Sequence, residues 1–131
     1  NYIKKNKISK SEQFSSIKLE EIPFNLPKNW KWSSMEQLTH LVHYGYTASA
    51  NINLTEVRLL RITDIQNNKV NWQNVPGCEI SKNQLESYKL YNGNLLIART
   101  GGTIGKSYLV ENLSLCAVFA SYLIRIVPSP L

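Results

Sequence analysis

The pattern of apolar and polar residues along the chain is mainly that of short strands. Apolar, β-branched and aromatic side chains concentrate in brief runs bounded by Gly, Pro or Asn, which is typical of strands separated by turns. The segments predicted as strands are residues 57–65, 69–75, 95–99, 107–110 and 115–127. Asn67-Asn68 and Pro76-Gly77 predict the turns that follow the first and the second of these segments.

Two further stretches carry helix signals. Ser33 with Glu36, and Ser81 with Gln84, have the spacing of a capping box, in which each side chain bonds the backbone N–H of the other residue. Apolar residues at helical spacing follow the first box and predict a helix that ends before Gly45; they are Met35, Leu38, Leu41 and Val42. The order helix, strands, helix, strands predicts an α+β fold with a mixed, mostly antiparallel twisted sheet and two short helices.

Composition separates a basic arm from a folded domain. Residues 1–21 are polar and rich in lysine, so we predict a basic arm or linker there and a single folded domain over residues 22–131. With 43% hydrophobic and 18% charged residues, the chain can bury a core and does not belong to the disordered class. Because it begins at Asn1 rather than Met, we expect part of a longer protein or a processed one.

The charge balance predicts an anionic partner. Fifteen Lys and Arg residues against nine Asp and Glu give a net charge of +6 and a pI near 9.4. This balance favours nucleic acid, an anionic membrane or an acidic protein. Cys78 and Cys116 fit neither a disulfide framework nor a zinc spacing, so we expect reduced thiols and a cytoplasmic location. The sequence predicts no secretion signal and no apolar run of the ~20 residues that a membrane span needs.

A glycine-rich loop with the sequence TGGTIGKS is the sharpest local motif. Glycines let backbone N–H groups approach an anion, and Arg99 and Lys106 on either side would bracket a DNA backbone or a guanine edge. The candidate DNA-binding residues here are Arg99, Thr100, Gly101, Gly102, Thr103, Lys106 and Ser107. A tight hairpin whose glycines serve turn geometry alone is the alternative, and the sequence leaves both interpretations open.

The same loop approaches the G-x-x-x-x-G-K-[ST] pattern of nucleotide-binding enzymes. With Gly105, Lys106 and Ser107 in register, the first glycine of that pattern falls on Thr100. Such a loop must also begin a helix, whose N-terminus holds the phosphates. The residues that follow, SYLV, predict a strand instead. A P-loop-like phosphate-binding enzyme is therefore an alternative and not the leading hypothesis.

A second polar loop covers residues 44–55 and is also a candidate for DNA contact. Asparagine side chains pair well with adenine, and Thr or Ser side chains accept several bases. The candidate residues are Tyr44, Tyr46, Thr47, Ser49 and Asn51. An ordinary solvated loop is the alternative interpretation.

The sequence offers little for catalysis. His40 and His43 have an i, i+3 spacing that would suit a metal on a helix, but no carboxylate or thiol accompanies them at a telling distance. Asp64 is the only Asp, which disfavours a nuclease with an Asp cluster around two metals. No dinucleotide fingerprint or Ser, His, Asp order stands out. We therefore expect a protein that is not an enzyme and that has no cofactor and no metal.

Five degenerate motifs occur in an order that resembles a known family. The stretches are PFNLPKNWKWSSMEQL, YGYT, LLRITDIQNNKVNW, NGNLLIARTGGTIGKSYLV and FASYLIRIV. Together they resemble the target-recognition domain of type I restriction–modification specificity subunits over residues 22–127. One departure is Asn94, which stands where the family commonly has Asp.

The resemblance implies that such a domain reads one half of a bipartite duplex DNA target from the major groove. In the full complex it would act with modification (methyltransferase) subunits, which supply S-adenosylmethionine and methyl transfer, and with the restriction subunit, which cleaves. On this hypothesis Arg99 and the loop at residues 101–106 contact DNA, and the loop at residues 44–51 helps to read bases. Arg61 and the arm lysines add phosphate contacts. No membrane partner is expected. A basic protein-interaction module remains the other alternative.

Overall fold

The computed structural model describes residues 17–129 and divides the chain into two compact units. The first unit ends at Leu38 and the second begins at Thr39. Most of the predicted arm, residues 1–21, lies outside the described residues, so the boundary between arm and domain stays a prediction. No helix within the described range is long and apolar enough to cross a membrane.

The first unit contains a 3-10 turn at Leu19–Glu21 and one turn of α-helix, α1, at Met35–Leu38. The helix has the predicted capping box, but one residue later than expected. The Gln37 backbone N–H donates to Ser34 Oγ at 3.3 Å, and the Ser34 N–H donates to Gln37 Oε1 at 3.1 Å. The predicted Ser33–Glu36 pairing was therefore wrong, because Gln37 supplies the returning side chain.

The predicted continuation of this helix to Gly45 was also wrong. Residues Thr39–Tyr44 form strand β1, and successive side chains alternate between half-buried and exposed. Strand alternation and helical spacing overlap in a stretch this short, since Leu38, Leu41 and Val42 fit a helix equally well. Pairing with a strand from the far end of the sequence decides the outcome, because it satisfies the backbone groups along one edge of β1.

Four antiparallel strands form the main sheet. They are β1, β5 (Leu95–Ala98), β6 (Ser107–Leu109) and β8 (Leu123–Pro128), in the spatial order β1-β8-β5-β6. Tyr44 pairs with Ile124, and Ala98 pairs with Leu123. Strands β1 and β5 therefore end, and β6 and β8 begin, at the same end of the sheet, which we call the loop end.

Two smaller ladders complete the second unit. Strand β2 (Arg58–Leu60) pairs in parallel with β7 (Ala117–Phe119), and β3 (Ile65–Gln66) forms a hairpin with β4 (Lys69–Val70). The predicted turn of this hairpin is confirmed, since Asn67 and Asn68 have φ of 51° and 59°. The α+β class with a mixed, mostly antiparallel sheet is likewise confirmed.

Three predicted strands are interrupted or end well before the predicted residue, whereas β5 and β6 each end one residue early. The strand over residues 57–65 is interrupted by a 3-10 turn at Ile62–Asp64, because the Asp64 carboxylate accepts the Arg61 backbone N–H at 2.9 Å. The segment 115–127 is broken at residues 120–122, where the chain turns from β7 into β8. The second predicted strand, over residues 69–75, ends at Val70.

Helix α2 (Lys82–Tyr88) has the predicted start, with Ser81 Oγ accepting the Gln84 N–H. The turn before β5 is closed by Asn94, the position where the resembled family commonly has Asp. Its Oδ1 accepts the Tyr91 backbone N–H at 3.1 Å, and the residue is buried. An amide oxygen serves this cap as well as a carboxylate would, because only an acceptor is required.

An arginine lies in the middle of the packed region. Arg125 of β8 is 1% exposed and donates to the backbone carbonyls of Ser87 and Lys89 at the C-terminal end of α2, at 2.8 and 2.6 Å. Its Nε donates to Nε2 of His43 at 2.9 Å, and its guanidinium carbon lies 5.2 Å from the Phe119 ring centroid. The last carbonyls of a helix have no partner within the helix, so this guanidinium joins α2 to the sheet.

His43 accepts these bonds only while its Nε2 carries no proton. Burial lowers the pKa of His43 below its ordinary value of 6.5, and the positive charge of Arg125 lowers it further, while a bond to the Tyr44 backbone opposes both. A histidine whose pKa is lowered by folding stabilises the protein above its unfolded pKa, and that stability is lost as the pH falls. The His43–Arg125 contact is therefore acid-sensitive.

We predict that the free energy of unfolding falls as the pH is lowered from about 7 toward about 5, the range in which histidine titrates. His43→Gln keeps an acceptor for Arg125 but does not titrate, so its unfolding free energy should depend less on pH. Urea denaturation at a series of pH values measures both proteins. His40→Gln, at the exposed position 40 of the same strand, is the control and should keep the wild-type dependence. An unchanged pH dependence in His43→Gln would contradict the assignment.

Candidate nucleic-acid interface

Three connections meet at the loop end of the main sheet. They are the residues after β1, the turn from β7 into β8, and the glycine-rich loop between β5 and β6. Backbone hydrogen bonds link them: Tyr46 N–H donates to Phe119 O at 2.7 Å, Ser121 N–H to Tyr46 O at 3.1 Å, and Arg99 N–H to Tyr122 O at 3.1 Å. The surface at this end is therefore built from segments that hold one another in position.

Gly45 of the YGYT stretch serves this packing. A Cβ at residue 45 would lie 2.2 Å from the Ala120 carbonyl oxygen and 2.3 Å from that of Phe119. Backbone atoms cannot give way by that much, so only glycine lets the two segments approach. The requirement for glycine in this motif is thus explained by the fold alone.

The glycine-rich loop is a hairpin connection closed by its own backbone. Ala98 N–H donates to Lys106 O at 2.8 Å, and Gly105 N–H donates to Ala98 O at 2.9 Å. Gly101 and Gly105 have φ of 79° and 85°, a region that favours glycine, whereas Gly102 has no positive φ. Turn geometry therefore accounts for two of the three glycines. A Cβ at any of the three would meet nothing within 4 Å, so the backbone of the whole loop is open to a ligand.

The structural context of a P-loop is absent around this motif. Residues Gly101–Thr103 form a 3-10 turn, and Ser107 begins strand β6. A phosphate-binding loop needs a helix directly after its Lys and Ser, with the backbone N–H groups of the first helical turn aimed at the anion. The alternative of a P-loop-like enzyme is therefore wrong for this loop.

Lys106 is turned inward to the neighbouring hairpin. Its side chain is half-buried, and Nζ donates to the backbone carbonyl of Ile65 in β3. This bond connects the glycine-rich loop to a segment 41 residues away in sequence. An ammonium has three donors, so Lys106 keeps a positive charge and further N–H groups beside the loop while it anchors it.

Arg99 is exposed at the loop end and is held at two points. Its Nε donates to the Ser121 backbone carbonyl at 3.2 Å, and its guanidinium carbon lies 4.3 Å from the centroid of the Tyr44 ring. Tyr44 itself is 56% exposed. In the sequence, Arg99 belongs with the glycine-rich loop and Tyr44 with the polar loop at residues 44–55. The structure brings these two side chains into direct contact.

Arg61 lies near the same end, next to Leu60, whose carbonyl accepts the Ala120 N–H at 2.9 Å. Its guanidinium is occupied by Asp64, which accepts from Nε at 2.9 Å and from Nη2 at 2.7 Å. The hydrogen bonds that Arg61 donates to Asp64 raise the pKa of Arg61. Asp64 also offsets the charge of Arg61, which weakens the case for Arg61 as a phosphate contact.

The polar loop after Tyr46 runs away from the loop end. Tyr46 donates its hydroxyl to Gln84 Oε1 of α2 at 3.3 Å, while Asn51 exchanges two backbone hydrogen bonds with Gly77, at 2.8 and 2.9 Å. Gly77 is bridged to Arg58 at the start of β2, so Asn51 lies at the other end of the β2–β7 ladder from Tyr46. Asn51 Oδ1 also accepts the N–H of residue 53 at 2.9 Å, which closes a local turn.

Thr47 and Ser49 are exposed between these two anchors, whereas the ring of Tyr46 packs against Tyr88 with centroids 5.3 Å apart. The structure thus gathers Tyr44, Arg99 and residues 100–107 at one end and leaves Asn51 apart from them. Residues Thr100, Thr103 and Ser107 lie within the hairpin, with Thr103 and Ser107 exposed.

Sequence reasoning missed Ile104. This side chain is 71% exposed in the hairpin loop, directly before the positive φ of Gly105. The sequence contains a signal that could have identified it, because Ile104 is the only apolar residue between Arg99 and Ser107. An exposed aliphatic side chain beside a basic loop can contact a thymine methyl group or the edge of a base stack.

Metal chemistry has no support in the described part of the chain. No group of three or more His, Cys, Asp or Glu side chains in residues 17–129 is arranged to hold an ion. His40 and His43 lie on a strand, where residues three apart face opposite sides of the sheet, so this pair cannot chelate. Burial raises the pKa of the Cys78 thiol, which makes it a poor nucleophile.

Comparison with known proteins returns relatives of one kind. The chain is 30% identical to the specificity subunit of the type I restriction enzyme EcoAI of Escherichia coli, over 73% of this chain and 16% of that protein. It is 25% identical to the specificity subunit of the type I restriction enzyme EcoEI of Escherichia coli, over 94% of this chain and 22% of that protein. No family model matches the chain.

The chain therefore spans about one sixth to one fifth of the length of the curated relatives it matches. Both relatives are specificity subunits of type I restriction enzymes, the group of proteins that the motifs in residues 22–127 resemble. Over most of its own length, this chain is similar to type I restriction enzyme specificity subunits.

Proposed function

We propose that this chain is a target-recognition domain that binds duplex DNA in a sequence-specific manner through the loop end of its main sheet. The observation that carries the proposal is the exposure and the hydrogen bonding of the Arg99 guanidinium. It is exposed, its Nε is fixed by Ser121, and its two terminal nitrogens have no hydrogen-bond partner within residues 17–129. A planar guanidinium with two free nitrogens matches O6 and N7 of guanine in the major groove.

The rest of the loop end suits contact with the DNA backbone and with neighbouring bases. Gly102 has open space around its Cα, so a phosphate can approach the backbone there, and Lys106 supplies positive charge alongside. Thr103 and Ser107 at the loop end are exposed and carry hydroxyl groups that accept or donate hydrogen bonds, as do Thr47 and Ser49 on the loop that leads away from it. Phosphate contacts would fix the register of the domain on the duplex, while Arg99 would carry sequence information.

The relatives are specificity subunits of restriction enzymes, which supports a role in a larger complex. We propose that the chain reads one half of a bipartite target and directs modification and restriction subunits to it. Methyl transfer would take place on the modification subunits with their S-adenosylmethionine, and cleavage on the restriction subunit. In this proposal the chain itself is not an enzyme, has no cofactor and acts in the cytoplasm.

We predict that the chain binds duplex DNA weakly and in a salt-dependent manner, because it would supply half of a recognition unit. The logarithm of the association constant should fall linearly with the logarithm of the salt concentration, with a slope of about −0.9 for each phosphate neutralised. Fluorescence anisotropy with a labelled duplex measures this. Failure to bind any duplex at about 50 mM salt, where phosphate contacts are strong, would favour a protein-interaction module instead.

Two arginines at the same end of the molecule give a matched test of the site. Arg99→Ala should weaken binding to a preferred duplex by about 1–3 kcal/mol, because a bidentate base contact is lost. Arg61→Ala removes the same formal charge but one that Asp64 already offsets, so its cost in binding should stay below about 1 kcal/mol. The duplex is first selected from a randomised library with the wild-type chain. Equal losses for the two variants would mean that overall charge, and not the geometry of Arg99, controls binding.

A methyl-transfer assay tests whether catalysis takes place on the modification subunits and not on this chain. The chain alone, incubated with labelled S-adenosylmethionine and the selected duplex, should incorporate no methyl groups, because flipping a base and enclosing the cofactor need a dedicated pocket. The parent specificity subunit with its modification subunits should methylate the same duplex, and Arg99→Ala in that complex should lower the rate. Methyl incorporation by the isolated chain, or tight cofactor binding measured by calorimetry, would overturn the assignment as a non-enzyme.

A further inference from the structure

The contact between Tyr44 and Arg99 joins two exposed side chains from strands that are not neighbours in the sheet. Tyr44 ends β1, Arg99 follows β5, and β8 lies between those strands. An exposed tyrosine and an exposed arginine would each gain conformational freedom by turning into solvent. Here the guanidinium carbon is instead 4.3 Å from the ring centroid, within the distance at which a ring face attracts a cation.

Two contacts restrain the guanidinium group of Arg99. Ser121 O accepts from Nε, which fixes the rotation of the group about its stem, and the ring of Tyr44 limits movement of its plane. An arginine that must be ordered at the moment of binding loses side-chain entropy then, and that loss weakens binding. The side chain of Arg99 is already ordered by these two contacts in the free protein, so less side-chain entropy would be lost when it binds DNA.

We infer that Tyr44 is a positioning residue for base recognition: its ring holds the Arg99 guanidinium, already fixed by Ser121, in the orientation that reads a guanine in duplex DNA. This inference rests on the proposed function. It assigns Tyr44 an effect on specificity that acts through Arg99 and does not require the Tyr44 hydroxyl to touch DNA. It differs from the sequence-based expectation, in which Tyr44 was a base contact in its own right.

Substitutions at residue 44 separate these two roles. Tyr44→Phe keeps the aromatic face and removes the hydroxyl, whereas Tyr44→Leu removes the face and keeps an apolar side chain. If the ring positions Arg99, the leucine variant should lower the preference for guanine over adenine at one base pair by about two- to fivefold, the size expected of an exposed cation–π contact. The phenylalanine variant should keep most of that preference, and the slope of binding against salt should be unchanged in both.

The experiment selects duplexes from a library with a randomised central segment, using the 131-residue chain as wild type, Tyr44→Phe, Tyr44→Leu and Arg99→Ala. A fifth chain combines Tyr44→Leu with Arg99→Ala and should show no loss at the guanine position beyond that of Arg99→Ala, because coupled residues are not additive. Tyr91→Leu is the control, since it removes a second cation–π pair, Lys89 with Tyr91, beyond the opposite end of β5.

A measurement without DNA tests the positioning itself. In the free protein the Cδ protons of Arg99 should have NMR shifts displaced by the ring of residue 44, similar in wild type and Tyr44→Phe and lost in Tyr44→Leu. Thermal unfolding of each variant confirms that the fold is retained.

The outcomes separate the inference from the function on which it rests. Failure of the wild-type chain to enrich any sequence would reject the proposed function. Enrichment in which Tyr44→Leu keeps the full guanine preference would reject the positioning role alone. If Tyr44→Phe loses as much preference as Tyr44→Leu, the hydroxyl contacts the DNA directly and the inference is wrong.

Discussion

The packing of the second unit depends on the buried guanidinium of Arg125. A buried charge is costly unless its donors are bonded, and this one donates to two carbonyls at the end of α2 and to the imidazole of His43 on β1. The same bonds satisfy helix carbonyls that would otherwise lack partners. One side chain thus joins the helix, the central strand β8 and the edge strand β1. Because its histidine partner must be neutral, the arrangement also ties the stability of the fold to pH.

The position of β1 in turn determines the loop end. Once β1 pairs with β8, Tyr44 lies beside the turn that contains Ser121 and within reach of Arg99. Gly45 then lets the chain pass against the carbonyls of residues 119 and 120 without a clash. The site proposed for DNA contact is therefore supported by strands β1, β5 and β8 and by backbone hydrogen bonds between the loops. Support of this kind is what keeps a recognition residue in one orientation before its ligand arrives.

The four arginines of the second unit show why a net charge of +6 gives little guidance to a binding surface. Arg125 is buried, Arg61 is bound to Asp64, and the Nη1 of Arg58 donates to the carbonyl of Val75 at 2.7 Å. Arg99 alone among them is exposed with its terminal nitrogens open in the described part of the chain. Composition counts all four equally, whereas burial and hydrogen bonding leave one suited to base recognition.

The sequence by itself determined the fold class, the Asn67-Asn68 turn, the start of α2 at Ser81 and the hairpin around the glycine-rich loop, because each depends on residues close together in the chain. It also carried the family resemblance. Only the tertiary structure decided that residues 39–44 are a strand and that Arg125 lies inside. It likewise decided that Tyr44 meets Arg99 while Asn51 lies elsewhere. These outcomes depend on partners that are distant in sequence, such as Arg125 for His43, Arg99 for Tyr44 and Gly77 for Asn51, and local periodicity contains no information about such contacts.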